Sequence, residues 1–426
     1  MESLLAATRT TPLHDNHVSR GAAMVDFSGW SMPLWYPSGA VAEHQRVITA
    51  AGLFDTSHMS FVTVSGSESL QLLQLCFTRD LFRCTGNNRV PLSPGKCVYG
   101  VFLNEEGNVI DDALVYQVDA DGYLIVVNAG MGTHITEHLR SHAVSRDVFV
   151  ADITGKIGKM DLQGPASGKV LVKMLKDPES TLRGMHYFTF KGSVDPKSGA
   201  VIRLDNGIPL MVSRTGYTGE FGFELFVESE RLGEVWEMVL RAGEDVGVIP
   251  CGLAARDSLR AGACLALSHQ DIGPWPFINN PWHFALPYNE TRTGFTKTFI
   301  GDCVLDLRES AEHTYAFVGW DPRKVSSRDP GVVLDARGNR MGTVLTCVAD
   351  MAIARYDDRI YSIASRDKPP NFKARGLSCG FLKVSSELHP GMEVGLKDNR
   401  RTIQVTIVDD IRPDRTARGP MQDMIC

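Results

Sequence analysis

The chain lacks the short patterns that most directly announce a chemistry. It has no glycine loop of the P-loop or dinucleotide-binding type and no zinc signature, so no metal ligand set is expected. It has no G-x-S-x-G elbow, so Asp55, Ser57 and His58 do not read as a hydrolase site. None of the nine cysteines falls in a C-x-x-C pair, and an odd number of scattered thiols fits reduced, buried cysteine. No uninterrupted apolar run approaches the roughly 20 residues of a membrane span. The opening Met1-Glu2-Ser3-Leu4-Leu5-Ala6-Ala7 is too short an apolar run for a signal peptide. The cytoplasm is the expected compartment, with no membrane partner. Basic residues are not in excess: 44 Lys and Arg stand against 50 Asp and Glu, net −6, which argues against nucleic acid as a partner. No internal repeat or low-complexity tract is visible.

What is present is an ordinary globular composition, 43% hydrophobic and 22% charged, over 426 residues, enough for two to three domains with ample core. Residues 24–36 are dense in large apolar groups punctuated by Gly and Pro and read as an irregular packed loop. Residues 41–51 read as a helix stopped by Gly52, with Phe54-Asp55-Thr56-Ser57-His58-Met59 as a turn. A strand at 61–64 and a helix at 67–76 follow. Strands at 98–103, 109–116 and 123–128 and a helix near 132–141 make an antiparallel α+β module. Further on come strands at 158–163, 185–190, 209–213 and 223–227. Helices are expected at 166–175, 232–246 and 252–266, the second amphipathic through Val235, Trp236, Val239 and Leu240. Residues 273–287 hold four prolines, which excludes regular structure over most of the segment. Beyond residue 314 short strands predominate, as in an all-β domain.

The densest chemical signal is Asn104-Glu105-Glu106-Gly107-Asn108-Val109-Ile110-Asp111-Asp112-Ala113-Leu114-Val115-Tyr116. A glycine turn leads into an apolar strand carrying two adjacent carboxylates. Neighbouring strand side chains point to opposite faces, so the two aspartates cannot both face water. A buried carboxylate is costly unless paired, so one of the two is there for more than solubility. Glu224, between Phe223 and Leu225, reads on spacing as a solvated strand face. Asp257 reads as favourable near a helix N-terminus, whereas Arg256 suits bidentate grip of a carboxylate. His134 and His138 stand four apart but without the H-E-x-x-H glutamate, and read as solvated helix surface. Trp30, Tyr99, Tyr217 and the tryptophans of 273–287 are candidates to stack on a flat heterocycle. A pterin with a glutamate tail fits this inventory.

These stretches resemble the aminomethyltransferase (T protein) family of the glycine cleavage system and its folate-dependent relatives. The match runs through Thr11-Pro12-Leu13-His14, Asp26-Phe27-Ser28-Gly29-Trp30, Leu53-Phe54-Asp55-Thr56-Ser57-His58-Met59, the double-aspartate stretch, Leu162-Gln163-Gly164-Pro165, Ser213-Arg214-Thr215-Gly216-Tyr217-Thr218-Gly219-Glu220 and Gly252-Leu253-Ala254-Ala255-Arg256-Asp257, in the family's order. The resemblance implies an α+β fold with antiparallel sheets: a three-domain cloverleaf with a C-terminal all-β, barrel-like domain around a central folate pocket. Residues 1–60 and 150–270 would form a discontinuous first domain and 61–149 a second. Residues 271–312 would connect to a C-terminal domain, 313–426.

The resemblance further implies a tetrahydrofolate-dependent transferase. It would take an aminomethyl group from a lipoylated carrier protein and yield 5,10-methylenetetrahydrofolate and ammonia. The alternative on the same scaffold is a folate-dependent demethylase with another small donor. Asp112 would be catalytic; Glu224, Arg256, Tyr99, Tyr217, Met59 and Asn128 would bind the folate; Asp257 and His269 would lie on the substrate side. Leu267-Ser268-His269-Gln270-Asp271 departs from the family's usual Tyr-Gly-Asn-Asp stretch.

Overall fold

The computed structural model describes residues 8–86, 89–143, 147–195, 201–327 and 331–425. The opening seven residues and Cys426 lie outside them. The chain divides into two compact units, Met1–Ser60 with Ile153–Asp257 and Thr416–Cys426, and Phe61–Asp152 with Ser258–Arg415.

The first unit is built on a seven-stranded sheet. Its order is Phe190–Gly192, Pro209–Ser213, Gly222–Glu228, Ile157–Gln163, Gly52–Asp55 and Ile249–Pro250, with Ile202–Arg203 paired beside Pro209–Ser213. One face is apolar. Leu53, Met160, Leu162, Phe223, Leu225 and Val227 pack with Val170 and Leu171 of helix Ser167–Met174 and Val235, Trp236 and Val239 of helix Leu232–Ala242. The expected amphipathic stripe of that second helix is therefore its buried side, although the helix ends at Ala242 and a 3₁₀ turn, Glu244–Val246, follows. Alternation then puts Lys159, Asp161, Gln163 and Glu224 on the sheet's other face. All four are buried.

Several local expectations are corrected here. Residues 24–36 are no irregular loop but a hairpin, Ala23–Phe27 against Trp30–Trp35. Ser28 and Gly29 both take positive φ, 52° and 80°, the backbone of a tight two-residue hairpin turn. Pro33 is tolerated because the third strand, Arg9–Thr10, pairs only with Trp30 and Ser31 and leaves that edge open. Gly52 does not stop a helix; it begins the strand Gly52–Asp55, where an added Cβ would lie 2.6 Å from Val47 and Cys251 side-chain atoms. The strand expected at 185–190 shrinks to Phe190–Gly192. Arg256 and Asp257 are the fourth and fifth residues of helix Leu253–Gly262, so Asp257 is not its cap.

The second unit holds a five-stranded sheet in the order Lys96–Leu103, Val109–Gln117, Gly122–Val127, Ser60–Ser65 and Phe149–Asp152. Helices Ser69–Cys76 and Gly132–His142 cover it through Leu72, Leu73, Ile135 and Leu139, which meet Val62, Phe102, Val115 and Ile125. Six strands between His313 and Val408 close into a barrel, in the order His313–Gly319, Leu377–Val384, Arg340–Asp350, Val332–Leu334, Glu393–Lys397 and Thr402–Val408. Phe317, Val333, Leu382, Leu396 and Val405 are buried within its core. Closure leaves no free sheet edge. The proline-rich segment is irregular apart from a 3₁₀ turn, His283–Ala285. Trp282 is not free to stack on a ligand: it is 2% exposed, lies edge-on to Phe381 at 4.9 Å and donates Nε1–H to the Cys264 carbonyl. Among the described residues no helix is long and apolar enough to cross a membrane.

Candidate functional site

Two polar clusters stand out, one in each unit. In the second unit the turn at Gly107 (φ 77°) starts the strand Val109–Gln117. A bulge at Ile110 follows, since Leu103 pairs with Val109 and Phe102 with Asp111. Asp111 is then fully buried and Asp112 half-buried on the opposite side.

The neighbouring strand Gly122–Val127 ends with Val127 opposite Ala113. The next N–H, of Asn128, donates to Asp111 Oδ2 at 2.9 Å, so a carboxylate continues the ladder where the backbone partner runs out. The Asn128 side-chain amide donates to both aspartates, at 2.7 Å to Asp111 and 2.6 Å to Asp112. Strand alternation separates the two carboxylates, and one amide draws them together again. Tyr99, a diagonal cross-strand neighbour, donates its hydroxyl to Asp112 Oδ2 at 2.8 Å.

The altered stretch Leu267–Asp271 completes this cluster. Asp271 is buried and ion-paired to Arg260, accepts from the Leu267 N–H at 3.0 Å, and accepts from Thr346 at 2.6 Å. With the loop so anchored, Ser268 Oγ donates to Asp111 at 2.8 Å and His269 Nε2 lies 3.6 Å from the same oxygen. His269 is half-exposed and takes a left-handed φ of 61°. Ser268 and the Arg260–Asp271 brace were not foreseen; nothing in their spacing points at Asp111.

Burial and the adjacent Asp112 push the Asp111 carboxyl up to about 7. Burial also raises Asp112, against the opposing hydrogen bonds of Tyr99 and Asn128 and the His269 charge. A carboxyl raised in the folded state stabilises the fold at acid pH, and that stability is lost as pH rises through the folded value. Urea unfolding near pH 5 and near pH 8 is thus expected to show a loss of stability that Asp111→Asn flattens. The same slope in wild type and variant would remove Asp111 from the explanation.

In the first unit the cluster forms on the polar face of the sheet. Asp161 and Glu224 lie directly opposite each other on adjacent strands. Like charges so placed repel, and Lys159, two residues along the same face, answers both. Its Nζ is 2.6 Å from Asp161 Oδ1 and 2.5 Å from Glu224 Oε1, with Thr56 Oγ1 at 3.2 Å as a third acceptor. Thr215 donates to the other Glu224 oxygen, and Ser213 hydrogen-bonds Thr215 at 2.7 Å. Arg256 donates Nη1–H to Asp161 Oδ2 at 2.7 Å and lies over the Tyr217 ring, 4.9 Å from its centroid. Burial works to raise Asp161, but Lys159 and Arg256 together hold it below the usual carboxylate range.

The solvated-face reading of Glu224 is therefore overturned: its residue is 4% exposed, because its strand is central and a buried lysine meets it. The structure brings Glu224, Arg256 and Tyr217 into one network, and Tyr99, Asn128, Asp112 and His269 into another. Met59 and Asp257 are half-buried in the first unit. Lys159 and Asp161, the centre of the first network, were missed. Their signal was available: Lys159, Asp161 and Gln163 alternate with Gly158, Met160 and Leu162 in one strand.

Comparison with known proteins gives the chain's family. The family described as the GCVT N-terminal domain matches residues 13–275. The chain is 36% identical over 338 residues, 79% of its length and 86% of the relative's, to an aminomethyltransferase of Geobacillus thermodenitrificans (strain NG80-2). It is 37% identical over 270 residues to that of Moorella thermoacetica (strain ATCC 39073 / JCM 9320), covering 63% and 68% of the two chains. The crystal structure of glycine cleavage system aminomethyltransferase T from Bartonella henselae shares the fold, with a TM-score of 0.72 at 24% identity over 94% of this chain and 96% of that one. The chain belongs to the aminomethyltransferase family and is a one-carbon transferase enzyme.

Proposed function

We propose that this enzyme moves an aminomethyl group from the lipoyl arm of a small carrier protein to tetrahydrofolate, releasing ammonia and 5,10-methylenetetrahydrofolate. The observation that carries the reading is the setting of Asp112. It is a half-buried carboxylate held from two sides by Tyr99 and Asn128, with burial raising its pKa against those hydrogen bonds.

The residues suit a folate. Lys159 and Thr215 hold the two Glu224 oxygens and fix the direction of a carboxylate able to accept from a pterin N–H. Arg256 presents a guanidinium, 13% exposed and steadied by Asp161 and Tyr217, to an anionic tail. Tetrahydrofolate, when bound, supplies the nucleophilic amine and a second nitrogen to hold the one-carbon unit. Asp112 orients that amine and takes its proton at the carboxylate. Tyr99 and Asn128 fix the carboxylate's direction. Tyr217 and Met59 offer flat and apolar surface. Asp257 and His269 serve the donor side.

The eight described cysteines are all free thiols, which supports a reducing, cytoplasmic setting. Three domains, bounded near residues 60, 150, 270 and 312, remain our proposed division.

Lipoylated carrier charged with aminomethyl is expected to give ammonia and methylenetetrahydrofolate in stoichiometric amounts. Turnover of a methylated small molecule alone would instead establish a demethylase. Tetrahydrofolate is also expected to raise Tm, and Glu224→Ala to abolish most of that rise. Absence of any shift in the wild type would sink the folate assignment whatever the donor.

A further inference from the structure

Apart from both carboxylate clusters, the second unit gathers three metal-ligating side chains that sequence spacing does not connect. One donor atom each of Cys76, His138 and His142 lies within 4.8 Å of the others. Cys76 is the last residue of helix Ser69–Cys76 and is fully buried. His138 and His142 are one turn apart on helix Gly132–His142, so their rings share a face, with centroids 4.9 Å apart. The pair that matters is thus 138 and 142, not 134 and 138: His134 is exposed, whereas His138 is half-buried and edge-on to Phe102.

Two details point to a ligand. His138 Nε2 is buried and, among the described residues, has no hydrogen-bond partner. A buried polar atom left so is costly, and a ligand would relieve it. His142 Nδ1 lies 2.8 Å from the His138 carbonyl oxygen. A carbonyl only accepts, so Nδ1 carries the proton and Nε2 keeps its lone pair. A backbone carbonyl sets the tautomer of metal-binding histidines in the same way. That Nε2 is 3.9 Å from Glu105 Oε1, a carboxylate 77% exposed in the turn before the double aspartate.

We propose that Cys76, His138 and His142 bind a zinc ion, with the Glu105 carboxylate at the fourth, solvent-facing position. One thiolate, two imidazoles and a carboxylate form a mixed set of the kind zinc takes in tetrahedral sites. Zn–S near 2.3 Å and Zn–N near 2.0–2.1 Å would hold the donors about 3.5 Å apart, so the trio closes by roughly an ångström as the ion enters. The Cys76 thiol proton passes to solvent as the sulfur–zinc bond forms. The ion would tie the end of one helix to the end of the other on the same sheet, a brace separate from the proposed folate chemistry.

The test uses the full chain, stripped by a chelator under reducing conditions and titrated with Co²⁺ and then Zn²⁺. One Co²⁺ per chain is expected, with a thiolate-to-cobalt charge-transfer band and the d–d bands of four-coordinate cobalt, all removed by Zn²⁺. Cys76→Ser should abolish the charge-transfer band, and His142→Asn should weaken binding by at least about tenfold. Melting in chelator checks that each variant is folded. If Cys76→Ser does not fold, His142→Asn, altering a partly exposed ring, carries the test. Cobalt bound without a thiolate band, or binding unchanged in the folded variants, would overturn the site.

Discussion

Asp112→Asn is expected to lower turnover by about 100- to 10,000-fold while changing tetrahydrofolate affinity only a few-fold. The substitution keeps the size of the side chain and an oxygen to accept from Asn128 or Tyr99, which donate at 2.6 and 2.8 Å. It removes the negative charge and the proton-accepting site. It also relieves Asp111 of a like-charged neighbour, so the raised value of about 7 there should fall. Asp111→Asn makes the contrast. Asp111 is fully buried and spent on the Asn128 N–H and Ser268, so its loss should act through stability more than through the chemical step. Single-turnover rates with saturating tetrahydrofolate, beside calorimetric affinity, separate the two effects. Turnover of Asp112→Asn within about threefold of wild type would remove Asp112 from the proton-transfer role.

Lys159→Met is expected to be the most damaging single change to the first unit, costing about 3–5 kcal/mol of stability. The lysine is 1% exposed and serves Asp161 and Glu224, themselves 0% and 4% exposed. Without it, two carboxylates directly opposite on neighbouring strands face each other, with Arg256 as counter-charge on Asp161 and the hydroxyls of Thr56 and Thr215 as neutral donors. The damage comes from uncompensated buried charge, so neutralising the carboxylates should reverse part of it. The triple variant Lys159→Met, Asp161→Asn, Glu224→Gln is expected to regain stability in denaturant melts and still fail to bind tetrahydrofolate. A single Lys159→Met as stable as wild type would show that the carboxylates protonate or rearrange at little cost. A triple variant that bound folate normally would remove the network from ligand recognition.

Some of this was legible in the residues alone. Helix Leu232–Ala242 and the strands around the double aspartate follow from apolar periodicity, because each has one face in a core and one outside it. The turn at Gly107 follows from a glycine between two apolar runs, and the family from motifs kept in order. The hairpin over residues 23–35 did not, because Pro33 and the tryptophans obscured an alternation that the Ser28-Gly29 turn completes. Nor did the two-stranded ribbon of Ile353–Tyr356 and Arg359–Ser362 show a periodicity; these strands lie outside the barrel and pair with each other.

The sequence by itself determined the family, the sheet-rich character and the identity of the adjacent aspartates, because these depend on local pattern. What only the tertiary structure decided is which groups share a charge environment. Asp161 meets Glu224 across 63 positions of chain, Asn128 returns to both aspartates, and Cys76 comes beside His138 and His142. Strand pairing and helix packing bring such residues within a few ångströms, where burial makes each charge depend on its neighbour. No window along the chain contains that information.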